Sequence, residues 1–199
     1  MTMTISIAAS QSRSSDGVVT LAPFELADAA TVMKWDADRQ VQRWYDWPLT
    51  PPWNDPQTYE ARCARAELVV RDKSAAWDAG QQFAFIIHAA ETDAGLGWID
   101  LQPRGPGRGS ISYGVLTEHA GKGIATRSVA LVSRFAFDVL DWMRLEICAV
   151  ADNAASRRVA IKAGFQLEGV LRSYGAYEPY EPLLGQRFDW AIYGRLRTD

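Results

Sequence analysis

The sequence predicts an α/β (α+β) fold, a mixed and mostly antiparallel central sheet with helices on both faces. Three observations carry this. Short segments alternate apolar with polar residues, or run apolar throughout, at Val18–Phe24, Phe83–His88, Gly95–Leu101, Ile111–Leu116, Leu145–Val150 and Phe188–Tyr193, the pattern of strands. Two other segments carry apolar residues at helical spacing: Tyr59, Cys63, Ala66 and Val70, then Ile124, Ser128, Leu131, Phe135 and Val139. The second of these helices joins Ile111–Leu116 to Leu145–Val150, a connection that sets two strands parallel. The hairpin chemistry of Glu91–Gly95 sets its strands antiparallel instead.

Taken in order, Met1–Asp16 is rich in Ser and Thr without periodic hydrophobicity. A disordered N-terminal arm is expected there, with a single domain over residues 17–199. After the first strand, Leu26–Ala30 opens a helix that runs to about Trp35. Val41–Trp53 then gathers Trp44, Tyr45, Trp47 and Trp53 among Pro48, Pro51 and Pro52. The prolines preclude a regular helix, which leaves aromatic packing under a long loop or a wall of a substrate pocket. A helix is expected over Thr58–Trp77, and Pro103–Gly109 reads as a loop into the central strand. The segment between Arg172 and Arg187 is longer than a hairpin needs. It holds Glu178 and Glu181, which either attract a cationic amine or are simply solvated.

The stretch Gly114–Thr126 organises the chain. A strand ends, the glycines Gly121 and Gly123 flank Lys122, and a helix begins at Ile124. Glycines let a backbone approach a ligand closely. The first N–H groups of a helix lack partners within it, and with the helix dipole they suit a pyrophosphate. A Walker loop is excluded, because Leu116 stands at its first glycine and Gly123 at its Ser/Thr. The dinucleotide fingerprint fails at Thr126. Further on, Asp152 or Asn153 caps a short helix containing Ser156, and Gly164 is a left-handed stop before the next strand.

Two motifs here resemble those of the GNAT acetyltransferases. Ala120, Gly121, Lys122, Gly123, Ile124 and Ala125 are similar to the acetyl-CoA loop of that superfamily, departing from it at Ala120, where Gln or Arg is usual. Asn153, Ser156, Lys162, Gly164 and Phe165, followed by Glu168, Gly169 and Arg172, resemble the signature of its RimJ/RimL-like branch. The resemblance implies a GNAT-like sheet whose parallel central strands splay, so that pantetheine inserts between them. It implies that amides from Gly121 to Thr126 hold the phosphates of acetyl-CoA, and that a strand-end amide at Val115 or Leu116 polarises the thioester carbonyl. It also implies that Asn153 contacts the donor or the reacting group, and that Ser156 donates to the departing sulfur. The tyrosine that many members place seven residues after the asparagine is Ala160 here. Helix capping explains Asn153 and Ser156 equally well from the residues alone.

Acyl transfer also needs a neutral amine. No base is readable: Asp100, Glu118 and a water chain all stand open, and His88 and His119 read as structural. Lys122, Arg127, Arg157, Arg158 and Lys162 cluster around the two motifs, as ligand contacts or as solvated helix faces. A net charge of −3 argues against broad nucleic-acid binding. Cys63 and Cys148 form no disulfide framework, no metal constellation is readable, and no apolar run approaches the roughly 20 residues of a membrane span. The N-terminus lacks a charged export region, so a cytoplasmic enzyme is expected. The expectation is therefore transfer of an acetyl group from acetyl-CoA to a primary amine, on a protein N-terminus or a small molecule, by direct attack in a ternary complex. A non-catalytic acyl-CoA-binding sensor is the alternative. No metal, nucleic acid or membrane is expected as a partner, and a homodimer is left open.

Overall fold

The computed structural model describes residues 12–44, 58–176 and 187–199. Its strands are β1 (Ser14–Ser15), β2 (Val19–Pro23), β3 (Phe83–Ala89), β4 (Gly95–Pro103), β5 (Arg108–Val115), β6 (Arg144–Val150), β7 (Gln166–Ala176) and β8 (Arg187–Leu196). They form one eight-stranded sheet in the order β1-β2-β3-β4-β5-β6-β8-β7. Only β5 and β6 are parallel neighbours; the other pairs run antiparallel. This is the mixed, mostly antiparallel sheet that the strand and helix order predicts.

Strand alternation sends the apolar residues to two cores. Val19, Leu21, Phe83, Phe85, Ile87, Ile99, Leu101, Ile111 and Ile147 point to one face and pack with α4 (Ile124–Arg134) and α5 (Ala154–Lys162). Ala22, Ala84, Ile86 and Trp98 point to the other, where α1 (Ala29–Ala37) and α3 (Tyr59–Asp78) bring Val32, Trp35, Ala66 and Val70. Covered on both faces, β3 is apolar along almost its whole length. Helix α3 starts where its cap dictates, with Thr58 Oγ1 accepting from the Ala61 N–H at 3.2 Å. Helix α4 runs on into a π-type turn, Phe135–Val139.

The N-terminal arm differs from expectation over its described part. Ser14 and Ser15 pair with Leu21 and Thr20. Asp16 Oδ1 accepts from the Val18 and Val19 amides, each at 3.0 Å. Its other oxygen takes Arg127 Nη1 of α4 at 2.7 Å. Residues 1–11 lie outside the described residues, as do Tyr45, Trp47 and Trp53 of the aromatic stretch and Glu178 and Glu181. Among the described residues no helix is long and apolar enough to cross a membrane, and no group of three or more His, Cys, Asp or Glu converges.

Candidate active site

The site begins with a ladder that stops. β5 and β6 pair from Arg108 with Arg144 to Ile111 with Ile147, and no further. Beyond that point β5 stays on β4 as far as Val115, opposite Gly97. β6 stays on β8 as far as Val150, opposite Trp190. Each strand follows its outer neighbour, so Ser112–Val115 and Cys148–Val150 part and face one another across a gap. The close fit on the outer side is visible at Gly114, where an added Cβ would sit 3.0 Å from the indole nitrogen of Trp98. Leu116 N–H donates to Leu96 C=O at 2.9 Å. Amides alternate along a strand, so the Val115 N–H faces the gap. Of the two strand-end amides expected to polarise a carbonyl, Leu116 is engaged within the sheet and its side chain is buried; the Val115 N–H is the one that faces the gap.

The chain then turns through Thr117–His119 into the glycine loop. Asp38 holds this turn. Its Oδ2 accepts from the Thr117 N–H and its Oδ1 from Thr117 Oγ1, both at 2.7 Å. The same Oδ1 caps α2 (Arg39–Gln42) through the Gln40 amide at 3.1 Å and the Val41 amide at 3.3 Å. Partial burial raises the carboxyl of Asp38, but these four donors outweigh it and hold it below its ordinary value. Gly121 and Gly123 have φ of 76° and 78°, the left-handed region that glycine tolerates. Open space surrounds both Cβ positions, so the glycines serve the backbone path and keep the approach clear. Gly123 caps α4 with no side chain, and Arg127 is the first residue to donate back, to Gly123 C=O at 3.1 Å. The amides of Ile124, Ala125 and Thr126 are left pointing out of the helix.

These parts line one cleft of about 850 Å³, a size that suits a cofactor-scale ligand. Its wall includes Tyr113, Val115, Ala120, Gly121, Gly123, Ile124, Ala125 and Thr126 from the β5–α4 passage, and Asn153, Ser156, Arg158 and Lys162 from α5. Trp44, Gln102, Arg104, Cys148 and Trp190 line it as well. Asn153 Oδ1 accepts from the Ser156 amide at 3.0 Å, so it is a helix cap, and its Nδ2 is left as a donor at the cleft. Ser156 Oγ lies 2.9 Å from Tyr113 Oη. Burial pushes the Tyr113 phenol up to about 12, with the Ser156 hydrogen bond pulling the other way.

The basic cluster separates into distinct jobs. Arg158 and Lys162 line the cleft. Arg157 instead clamps α5 to the sheet, donating to Tyr193 Oη at 3.0 Å and Ala151 C=O at 3.1 Å. Arg127 pairs with Asp16, and Lys122 Nζ turns back to Glu118 C=O at 3.0 Å. The structure separates the base candidates that the sequence leaves open. Asp100 lies under α3, bound by Lys73 Nζ at 2.8 Å and Gln82 Nε2 at 2.7 Å. Its carboxyl is pushed up by burial and drawn back by Lys73. Glu118 is exposed beside His119, 3.3 Å away. Neither lines the cleft, and among the described residues no carboxylate does. His88 is structural, with Nδ1 2.9 Å from Asp93 C=O. Sequence reasoning missed Tyr113, visible only as an alternating strand residue, and Asp38, which carries no signal of its own.

Known proteins give this geometry a context. Residues 19–166 match the model of the acetyltransferase (GNAT) domain. The chain is 30% identical over 167 residues to an uncharacterized N-acetyltransferase, p20 of Bacillus licheniformis, covering 82% of this chain and 89% of that one. With the uncharacterized N-acetyltransferase YoaA of Bacillus subtilis it shares 39% over 67 residues, 34% of this chain and only 38% of the relative's length. Among solved structures, Mycobacterium smegmatis RimJ in complex with CoA-disulfide superposes with a TM-score of 0.74 at 21% identity, over 92% of this chain and 83% of that one. The ribosomal-protein-S5-alanine acetyltransferase of Vibrio fischeri does so with a TM-score of 0.74 at 17% identity, over 94% and 97%. At such identities these two structures establish the fold alone, while the domain match spans most of the chain. The chain belongs to the GNAT acetyltransferase family.

Proposed function

We propose that this chain, as a single domain from about residue 17, transfers the acetyl group of acetyl-CoA to a primary amine by direct attack in a ternary complex. The observation that carries the reading is the gap between β5 and β6 opening directly onto the bare N-terminus of α4. A phosphate chain on the amides of Gly121 and Gly123–Thr126 would place the pantetheine arm in that gap, where it meets unpaired strand edges as a short extra strand would. Arg158 and Lys162 line the same cleft and offer cations to a phosphate bound there. The thioester carbonyl then reaches the Val115 N–H, a fixed dipole that strengthens its hold as negative charge builds on oxygen. Asn153 Nδ2 is free for the arm, and Ser156 donates to the leaving sulfur.

No carboxylate among the described residues lines the cleft, but His119 does, with its Nε2 3.3 Å from Glu118 Oε1; in this scheme the proton of the acceptor amine passes to solvent, directly or through that imidazole. A covalent acyl-enzyme is disfavoured. Cys148 is the one cysteine in the cleft wall; it is exposed there, and partial desolvation, with Glu146 adding, raises its thiol despite Arg104; the thiol form is a poor nucleophile. The acceptor is a protein N-terminus or a small amine. The first is favoured by the ribosomal-protein acetyltransferase among the structural neighbours. A passive acyl-CoA sensor would need the loop and the gap, but not a hydroxyl pair set beside them.

The test couples two measurements on the wild-type protein: calorimetric titration with acetyl-CoA, and release of CoA thiol with N-terminal peptides and with small amines. Binding with turnover on any acceptor supports the transferase. Saturable binding with no thiol release on any acceptor makes it the sensor.

A further inference from the structure

Ser156 is an awkward acid by itself. An aliphatic hydroxyl holds its proton far more tightly than a thiol, whose ordinary value is about 8.5. Giving that proton to a departing thiolate would leave an alkoxide in a half-buried site with nothing to stabilise it. The structure supplies a second hydroxyl. Tyr113 Oη lies 2.9 Å from Ser156 Oγ and 3.1 Å from Ser156 C=O. The carbonyl can only accept, so the phenol donates there when its proton is not on Oγ. The two rest on different elements, 43 residues apart in sequence, and both line the cleft.

Their placement is tightly held. Tyr113 sits on β5 after the ladder to β6 has ended at Ile111, and it is kept in register by Ile99 of β4. It precedes Val115 by two residues, so both lie on the same side of one strand, about 7 Å apart. Ser156 is held from the other direction. Asn153 caps its amide at 3.0 Å, and Arg157, next in sequence, clamps the first turn of α5 to Tyr193 and Ala151.

Resting on the acetyl-transfer reading above, we propose that Tyr113 is a positioning residue that supplies the proton passed through Ser156 to the leaving sulfur. As the C–S bond breaks, its electron pair goes to sulfur, and the Ser156 O–H proton moves to that sulfur to give the CoA thiol. Tyr113 swings its hydrogen bond from the Ser156 carbonyl to Oγ and returns a proton there, so serine ends neutral. The phenolate is reprotonated from solvent, which has received the proton shed by the acceptor nitrogen. No proton is created or lost. A phenol at about 12 is a costly donor to a thiolate but a far better one than an alcohol. Chains of this kind also strengthen each member.

Three variants test the proposal: Tyr113→Phe, Ser156→Ala and the double substitution. Thiol release, acetyl-CoA affinity by calorimetry and melting temperature are measured for each. Tyr113→Phe keeps the ring and removes only the hydroxyl. The expected result is a kcat lowered by roughly 10²-fold, the lower end of general acid help, with donor affinity within about twofold of wild type. In the Ser156→Ala background the same change is expected to cost nothing further, because Tyr113 acts only through Ser156. Three results would overturn it: wild-type kcat in Tyr113→Phe, an equal loss in both backgrounds, or a loss matched by weaker donor binding and a lower melting temperature. Failure of the transfer reading shows separately, as a wild-type protein that binds acetyl-CoA and releases no thiol on any acceptor; that result overturns both.

Discussion

Two helices begin at the cleft, and they begin in opposite ways. Helix α4 starts at Gly123, in a left-handed conformation with no side chain to close its amides. Helix α5 starts at Asn153, whose side-chain oxygen accepts the Ser156 amide at 3.0 Å. The uncapped end leaves unsatisfied donors and a positive dipole facing the cleft, which is a site for an anion. The capped end is satisfied by its own chain, so its first turn is rigid and can hold a hydroxyl in place. Anion binding and group positioning thus call for opposite treatment of the same local structure. The sheet between the helices repeats the lesson: β5 and β6 are laddered from Arg108/Arg144 to Ile111/Ile147 and unladdered beyond, and the cleft lies over the unladdered part.

Closing the open helix end should have the largest effect. Gly123→Asp places a Cβ at φ 78°, at a cost of about 1–2 kcal/mol, and sets a carboxylate among amides aimed at phosphate. Acetyl-CoA affinity is expected to fall by roughly 100-fold, taking about 1.4 kcal/mol per tenfold. The surrounding space is open, so only the backbone strain should act on stability, lowering the melting temperature by roughly 2–8 °C and leaving the variant folded at 25 °C. Calorimetry on the folded variant reads this; unchanged affinity would place the phosphates elsewhere.

Opening the capped end is the next step down. Asn153→Ala removes the Ser156 cap, a loss of about 1 kcal/mol that corresponds to roughly 2–4 °C in a domain of this size. Differential scanning calorimetry checks it. An unaltered melting temperature would mean that the first turn of α5 is held without the cap, by Arg157.

Asp38 sharpens the comparison from outside, since it fixes the turn that delivers the open helix. Its folded-state value is depressed, so its stabilising effect is complete above the unfolded carboxylate value near 3.9 and is lost as pH falls through the lower folded value. Asp38→Ala should therefore be less stable than wild type at neutral pH, with the difference shrinking below about pH 4. Denaturant midpoints at several pH values measure this. A constant difference down to the acid limit would show that the carboxylate charge is irrelevant.

The smallest effect is expected at Ala120. Its backbone is ordinary and extended, φ −63° and ψ 153°, and its position lines the cleft. Ala120→Arg should fold normally and bind acetyl-CoA within about threefold of wild type or more tightly, as one added surface cation near a phosphate contributes less than about 1 kcal/mol. Loss of donor binding in the folded variant would displace the loop from the phosphate site.

What could be read from sequence follows from range along the chain. The glycine loop, the Asn153 cap and the strand periods are local, since the residues that define each stand within a few positions of one another. The splay was available only through resemblance, because it results from β5 following β4 and β6 following β8. The Asp38–Thr117 contact spans 79 residues, and the Tyr113–Ser156 contact 43. Neither an isolated aspartate before a short helix nor a tyrosine in an alternating strand signals such a partner. Asp100 stayed open for the same reason: its strand position was legible, but its capture by Lys73 and Gln82 under α3 was not.

The central claim is that the open end of α4, beside the gap between β5 and β6, receives the donor. Nuclear magnetic resonance of the uniformly ¹⁵N-labelled protein titrated with acetyl-CoA tests this most directly. The amides of Gly121, Gly123, Ile124, Ala125 and Thr126 are expected to show the largest saturable shifts, together with Val115 at the strand end. Saturable binding that leaves the α4 amides unmoved, with the main shifts on another part of the sheet, would contradict it.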